Sequence, residues 1–230
     1  MRVSTYKKLP YKIYMANIEL CHFGDHCEPG ILIDDILKLK KKGLFMLGVY
    51  EFNNILSYLN ENNLEKIYSK EHLIVLPDNN VRHGLYNFVF NHDYVINNSE
   101  VLNYDFVCNR FDLKIKNFRE MLTNENTCVF ITFAEDVDHL KIDDMLNWLS
   151  KNKNKFHLII YTNNPYTKNY SSTNLSIIVL EHSYHQWYAM DSNTKGILYK
   201  EIYDKFLNCL QSSNIEHSLP LTFEETNFGK

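Results

Sequence analysis

Glycine and proline are scarce in this chain, with seven and five residues among 230. No linker rich in Pro, Gly or Ser divides it, and no Gly-rich phosphate-binding loop follows a predicted strand. No apolar run approaches the roughly 18 residues that a membrane-spanning helix needs, and the basic segment 1–14 lacks the apolar core of a signal peptide. We therefore expect one domain over residues 1–212 and a loosely ordered C-terminal tail over 213–230, without a nucleotide-binding signature.

Neither sign of charge is in large excess, because the formal net charge is −4 and the sequence pI is about 6.2. Basic residues are scattered, and the short cluster Lys38–Lys42 fits the solvated end of a helix. This argues against broad nucleic-acid binding, and we expect no membrane partner either. Five widely spaced cysteines without an export signal indicate free thiols in a reducing compartment, the cytoplasm, or the host cytoplasm if the source is viral.

The chain is 45% apolar and 14% aromatic, which is enough for a folded core. Residue periodicity predicts strands at 11–20, 72–77, 85–94, 127–134, 155–162 and 175–182. It predicts helices at 26–42, 51–60, 99–122, around Ile142–Leu149, and at 195–210. Alternation of strands and helices favours an α/β fold: a mixed or mainly parallel sheet covered by helices, in a single domain.

One cysteine lies where a predicted strand gives way to a predicted helix. In the stretch FGDHCEPG, Asp25 and Glu28 have the spacing of a capping box, and Pro29 suits the first turn. Cys27 then lies in that first turn, where free N–H groups and the helix dipole stabilise a thiolate. This environment suits a nucleophile. The alternative is that Cys27 packs as a small apolar residue against the strand.

A nucleophilic thiol needs a base that is oriented by a third group. His92 and Asp93 follow a predicted strand and are the first choice for these two roles. Adjacent residues on a strand face opposite ways, so Asp93 can orient His92 only if the strand has ended there. His83 is the second choice of base, and Asp105 is the alternative orienting group. The competing interpretation is that the stretch NHD forms a polar turn.

Two groups of residues have side chains that metal ions favour. Cys21, His22, His26 and Cys27 are close in sequence, but their spacing matches neither usual zinc pattern and a helix start would separate them. His182 and His185 form a weaker pair, for which a polar loop is the competing interpretation. We predict no metal site and no cofactor.

Several of these motifs together resemble a known family. The order Gly24-x-x-Cys27, an apolar helix, Phe90-x-His92-Asp93, and a long helix with Arg110 and Phe118 is similar to an uncharacterised family of papain-like cysteine peptidases found in bacteria and some large DNA viruses. The resemblance covers about residues 13–165. It implies a cysteine peptidase with a protein or peptide substrate.

The first functional hypothesis is accordingly a cysteine-nucleophile acyl-transfer enzyme, most simply a papain-like peptidase. Cys27 attacks a carbonyl, His92 acts as base and then as acid, and Asp93 orients the imidazole. Another hypothesis that assumes catalysis is an unrelated α/β enzyme, such as a transferase, that acts at the carboxyl ends of strands.

The second hypothesis is a catalytically silent relative that binds a partner protein, such as a host protein of a virus. It is motivated by a departure from the family pattern, which has an aromatic–Pro–Phe–Asp–Trp element where this chain reads Phe45-Met46-Leu47-Gly48-Val49. The expected contact segments are Leu44–Val49 and the aromatic-rich His182–Tyr188.

Overall fold

The computed structural model describes residues 18–23, 43–45, 48–61, 63–90, 93–134, 139–164, 172–182 and 189–216. The strands are β1 (Ile18–His22), β2 (Leu73–Val75), β3 (Val81–His83), β4 (Val89–Phe90), β5 (Ile96–Asn97), β6 (Glu100–Val101), β7 (Thr127–Phe133), β8 (Phe156–Thr162) and β9 (Leu175–Val179). The α-helices are α1 (Phe52–Leu59), α2 (Tyr104–Thr123), α3 (His139–Asn152) and α4 (Ser192–Ser212). Short 3₁₀ helices occupy Leu64–Tyr68 and Lys70–His72.

The central element is a four-stranded parallel sheet with the strand order β1-β7-β8-β9. Nearly every residue of β7 and β8 is buried. Strands covered on both faces carry continuous apolar runs, which explains why TCVFITF and FHLIIYT do not alternate with polar residues. Two small antiparallel sheets, β2-β3-β4 and β5-β6, lie outside this sheet. The predicted α/β fold with a mainly parallel sheet in a single domain is confirmed.

Helices pack on both faces of the parallel sheet. On one face, Phe130 and Leu158 join a core that includes the apolar stripes of α1, α2 and α3. On the other face, Ile131, Ile159 and Tyr161 pack against α4. The helix α4 contacts them with Leu198, Ile202, Phe206 and Leu210. The sheet therefore separates two apolar layers.

Three predicted boundaries are wrong, each for a local reason. The strand predicted at 85–94 is reduced to β4, because Asn87 adopts the left-handed conformation with φ 54°. The helix predicted from residue 99 begins at Tyr104, because Asn98 and Ser99 form the β5–β6 turn with φ 48° and 63°. The last helix begins at Ser192, because the Asp191 side chain accepts hydrogen bonds from the backbone N–H groups that follow it.

Other predicted elements fall partly or wholly outside the described residues. These are the helix at 26–42, most of the strand at 11–20, and the tail beyond residue 216. Among the helices that are described, none combines the length and apolarity required to cross a membrane. The four described cysteines are free thiols: Cys21, Cys128 and Cys209 are buried, and Cys108 is half-buried.

Candidate active site around Asp93

Of the three predicted catalytic residues, the structure describes Asp93, while Cys27 and His92 lie outside the described residues. Asp93 is only 2% exposed. The strand β4 ends at Phe90, before the His92-Asp93 pair. Asp93 itself lies in a bend and not in a strand, and its geometry relative to His92 stays a prediction.

The carboxylate of Asp93 lies beside one cation. Its Oδ1 is 3.3 Å from Nη2 of Arg110, which belongs to α2. The guanidinium carbon of Arg110 also lies 5.7 Å from the ring centre of Phe106, one helical turn earlier. Neither carboxylate oxygen of Asp93 has a hydrogen bond within the described ranges. Arg110 thus compensates the buried charge without using the acceptor capacity of the carboxylate.

The backbone at Asp93 is fixed by Asn103, the residue that precedes α2. The Asn103 amide Nδ2 donates to the carbonyl oxygen of Asp93 at 2.9 Å, and its Oδ1 accepts from the N–H of Val95 at 2.7 Å. Asn103 therefore ties the segment after β4 to the start of α2 and makes no side-chain cap of that helix. The result is a rigid main chain at the position of the candidate orienting acid.

Two tyrosines, Tyr50 and Tyr94, lie close enough to Asp93 for its charge to add to the rise in pKa that burial causes. The ring of Phe90 lies 6.1 Å from the ring of Tyr50 and 5.4 Å from that of Tyr94. Both hydroxyls are buried, and neither has a hydrogen-bond partner in the described part of the chain. Burial raises the pKa of Tyr50, and the negative charge of Asp93 raises it further. Both effects keep this buried hydroxyl protonated.

The alternatives considered for base and orienting group differ from this arrangement. His83 is fully buried, with Nε2 2.8 Å from the carbonyl oxygen of Lys66 and with its ring stacked on Tyr86. Burial lowers the pKa of His83. These contacts indicate a structural histidine. Asp105 is exposed in the first turn of α2.

Of the residues considered for a metal site, the structure describes Cys21, His22 and His182, and the first two do not come together. Cys21 and His22 are neighbours on β1, and their side chains lie on different faces of the sheet. Cys21 belongs to the apolar core that contains α1, α2 and α3, whereas His22 lies beside Phe133. Burial lowers the pKa of His22 to about 4, against a smaller opposing effect of the Phe45 backbone. His26 and His185 lie outside the described residues. Among the residues described, no group of three or more His, Cys, Asp or Glu side chains could hold a metal ion.

Sequence reasoning named Arg110 only as part of the family resemblance and assigned Asn103 and Tyr50 no role. The ion pair of Arg110 with Asp93 spans 17 positions and depends on the tight turn at Asn98–Ser99, which the helix prediction missed. The consecutive polar residues of INNSE were the available signal, because Asn and Ser favour turns over helix interiors.

Comparison of the chain with protein-family models, with curated proteins and with solved structures finds no match.

Proposed function

We propose that the chain is a cysteine-nucleophile acyl-transfer enzyme, most simply a papain-like peptidase that acts on a protein or peptide in a reducing compartment. Cys27 attacks the carbonyl carbon, and its N–H contributes to the oxyanion hole. His92 accepts the thiol proton and returns it to the leaving group, while Asp93 orients the imidazole and stabilises its charged form. The observation that supports this assignment is the buried carboxylate of Asp93, fixed beside Arg110 directly after the candidate base.

The energetics of Asp93 favour a functional role over a purely structural one. Burying a carboxylate costs several kcal/mol even after relaxation, and a nearby cation recovers only part of that cost. A structural carboxylate normally also accepts hydrogen bonds, and Asp93 accepts none from the described residues. An acid that holds an imidazole needs this free acceptor capacity, and it needs a rigid backbone such as the one that Asn103 provides.

The test is peptide hydrolysis by purified variants, followed with a fluorogenic peptide library. We expect C27A and H92A each to abolish activity, because members of one catalytic unit fail together. Both should leave the melting temperature nearly unchanged. The matched control is C108A, which removes a half-buried thiol of α2 and should retain full activity. Activity that survives C27A would contradict the proposal.

A second candidate function, a silent relative that binds a partner protein, is supported by an exposed apolar surface. We call it the α2 apolar surface; it consists of Val95, Leu102, Phe106 and Leu113, which are all more than half exposed. The N–H of Leu102 donates to the carbonyl oxygen of Val95 at 2.9 Å, and Phe106 and Leu113 are seven residues apart on one helix face. A group of exposed apolar side chains is typical of interaction sites.

The contact segments expected from the sequence need correction. Leu44 and Phe45 are fully buried, and the ring of Phe45 packs edge-on against Tyr50, Tyr58 and Phe88. These two side chains are therefore part of the core and are not available to a partner. The second expected segment is described only at His182, whose imidazole is paired with Glu201.

The binding function is tested with peptides selected from a displayed library against the wild-type protein. If binding is the function, F106S/L113S should lose these peptides, while C27A should bind them unchanged. Peptides that bind both variants equally would show that the α2 apolar surface is not the contact surface.

A further inference from the structure

A histidine and a glutamate meet at the carboxyl end of strand β9. His182 lies three residues beyond the strand, and its Nδ1 is 2.8 Å from Oε2 of Glu201, which belongs to α4. In open parallel sheets, ligands bind at the carboxyl ends of the strands. This pair therefore has the right position for a functional site, although the acyl-transfer proposal makes no use of it.

The carboxylate of Glu201 is anchored by several donors. Its Oε1 accepts from the backbone N–H of Glu181 at 2.6 Å and from Nζ of Lys205 at 2.8 Å, and its Oε2 also lies 3.2 Å from the backbone nitrogen of His182. Lys205 is itself fixed by donating to the carbonyl oxygen of Val179 at 2.7 Å. Burial acts to raise the pKa of Glu201, but these hydrogen bonds outweigh it and leave the pKa below its ordinary value. The group is thus a fixed anion.

The anchored carboxylate determines which nitrogen of His182 carries the proton. A carboxylate only accepts hydrogen bonds, so Nδ1 must donate to it. In the neutral imidazole, Nε2 is then the nitrogen with the free lone pair. The His182 side chain is 44% exposed, and no described residue forms a hydrogen bond with Nε2. An imidazole held in this tautomer by a fixed, largely covered carboxylate is the arrangement of a general base.

We propose that His182 is a general base and that Glu201 is its positioning residue. The base activates a water molecule for attack on an ester carbonyl at the carboxyl edge of the sheet. The water O–H bond breaks and its proton moves to Nε2, while the oxygen forms the new bond to the carbonyl carbon. The bond from carbon to the leaving oxygen then breaks, and the imidazolium returns the proton to that oxygen. The step does not involve Cys27, His92 or Asp93.

The tautomer is tested by NMR of ¹⁵N-histidine-labelled wild-type protein, in which long-range ¹H–¹⁵N correlations identify the protonated ring nitrogen. We expect the neutral His182 ring to carry its proton on Nδ1. In E201A, the fraction with the proton on Nε2 should increase, because the fixed acceptor is lost. A neutral His182 protonated on Nε2 in the wild-type protein would contradict the proposal, and this measurement does not depend on the folding of any variant.

The chemistry is tested with p-nitrophenyl acetate, using C27S as the parent so that acylation of Cys27 does not contribute. We expect H182A and H182Q to lower the protein-catalysed rate at least about tenfold, and E201A to lower it less. The parent reaction should also be slower in D₂O, because a proton moves in the rate-limiting step. The matched control is H72A, since His72 also neighbours a glutamate, Glu71, but at 3.8 Å and without a hydrogen bond.

Three outcomes would overturn the assignment: a parent rate no higher than that of buffer, unchanged hydrolysis by H182A and H182Q, or equal rates in H₂O and D₂O. Because the parent lacks the Cys27 thiol, a failure here leaves the cysteine-nucleophile proposal untouched. Conversely, inactivity of Cys27 toward peptides would not affect the result for His182.

Discussion

Asp93 is buried and Glu201 is partly exposed, with 10% of its side chain accessible, and the two carboxylates have different surroundings. Glu201 accepts hydrogen bonds from two backbone N–H groups, a lysine and a histidine. Asp93 accepts none from the described residues and has only Arg110 at 3.3 Å. A carboxylate offers about four acceptor positions, which are largely used at Glu201, whereas no described residue donates to those of Asp93.

This difference follows from where each acid lies in the fold. Glu201 faces the chain as it leaves β9 at the carboxyl end of the parallel sheet, where successive N–H groups are released from strand pairing. Asp93 lies between the short strand β4 and the β5–β6 hairpin, and its own backbone is held by Asn103. Glu201 is therefore placed to hold His182, whereas Asp93 has Arg110 as its counter-charge and accepts no hydrogen bond from a described residue.

The largest expected effect is the loss of Arg110. R110M should lower the free energy of unfolding by about 3 kcal/mol, because it leaves a buried carboxylate without its counter-charge. R110K should cost less, since it keeps the charge. Urea unfolding at pH 7 measures both.

The double variant D93N/R110M is the control for the first prediction. It should be more stable than R110M, because the charge that needed compensation is gone. If R110M is destabilised by less than about 0.5 kcal/mol, the ion pair does not compensate the Asp93 charge and the comparison fails.

The second prediction concerns Glu201. E201Q should lower the free energy of unfolding by about 2 kcal/mol at pH 7, because hydrogen bonds to a charged acceptor are lost. The pKa of Glu201 lies below its ordinary value of 4.5. Its stabilising contribution is therefore complete above pH 4.5 and is lost as the pH falls through the lower pKa of the folded state. Unfolding of the wild type and E201Q in urea from pH 7 to pH 3 measures the difference.

The expected difference between the wild type and E201Q is constant above pH 4.5 and shrinks at lower pH. If the difference in unfolding free energy between the wild type and E201Q grows on acidification, burial has a larger effect on the pKa of Glu201 than the surrounding hydrogen-bond donors have. The contrast between Glu201 and Asp93 would then be wrong.

The smallest expected effect is at the hydroxyl of Tyr50 near Asp93. Y50F should change the free energy of unfolding by less than about 0.5 kcal/mol, because the hydroxyl has no hydrogen-bond partner among the described residues. Y58F is the matched control: the Tyr58 hydroxyl donates to the carbonyl oxygen of Leu64, so its removal should cost about 1 kcal/mol. Thermal unfolding of the two variants compares them. A larger loss for Y50F than for Y58F would show that Tyr50 is hydrogen-bonded and that the surroundings of Asp93 are satisfied.

The same contrast explains how much could be predicted from the sequence. The parallel strands β7, β8 and β9 were predicted within three residues at each end, because continuous apolar runs bounded by polar residues leave few alternatives. The region that holds Asp93 was predicted poorly. Its strands have two or three residues, and its conformation depends on left-handed Asn87, Asn98 and Ser99, which periodicity does not reveal.

The candidate site was predictable only in part for a related reason. Asp93 could be named from its position after a strand, but its partner Arg110 could not, because the ion pair joins a loop to a helix across a hairpin. The pair of His182 and Glu201 was missed because its members are 19 residues apart and meet only when α4 packs back onto the sheet. Pairs of this kind depend on tertiary packing, and local sequence pattern carries little information about them.

The role of Cys27 as an activated nucleophile is tested most directly by its reaction with iodoacetamide. The rate of labelling at each cysteine is measured by mass spectrometry at a series of pH values. We predict that labelling of Cys27 shows an inflection well below the free-thiol pKa of about 8.5. Burial raises the pKa of Cys108, Cys128 and Cys209, so these thiols should react more slowly. In D93N, the inflection for Cys27 should move upward. A Cys27 rate that rises only around pH 8 to 9, or a thiol that reacts only after denaturation, would contradict the account.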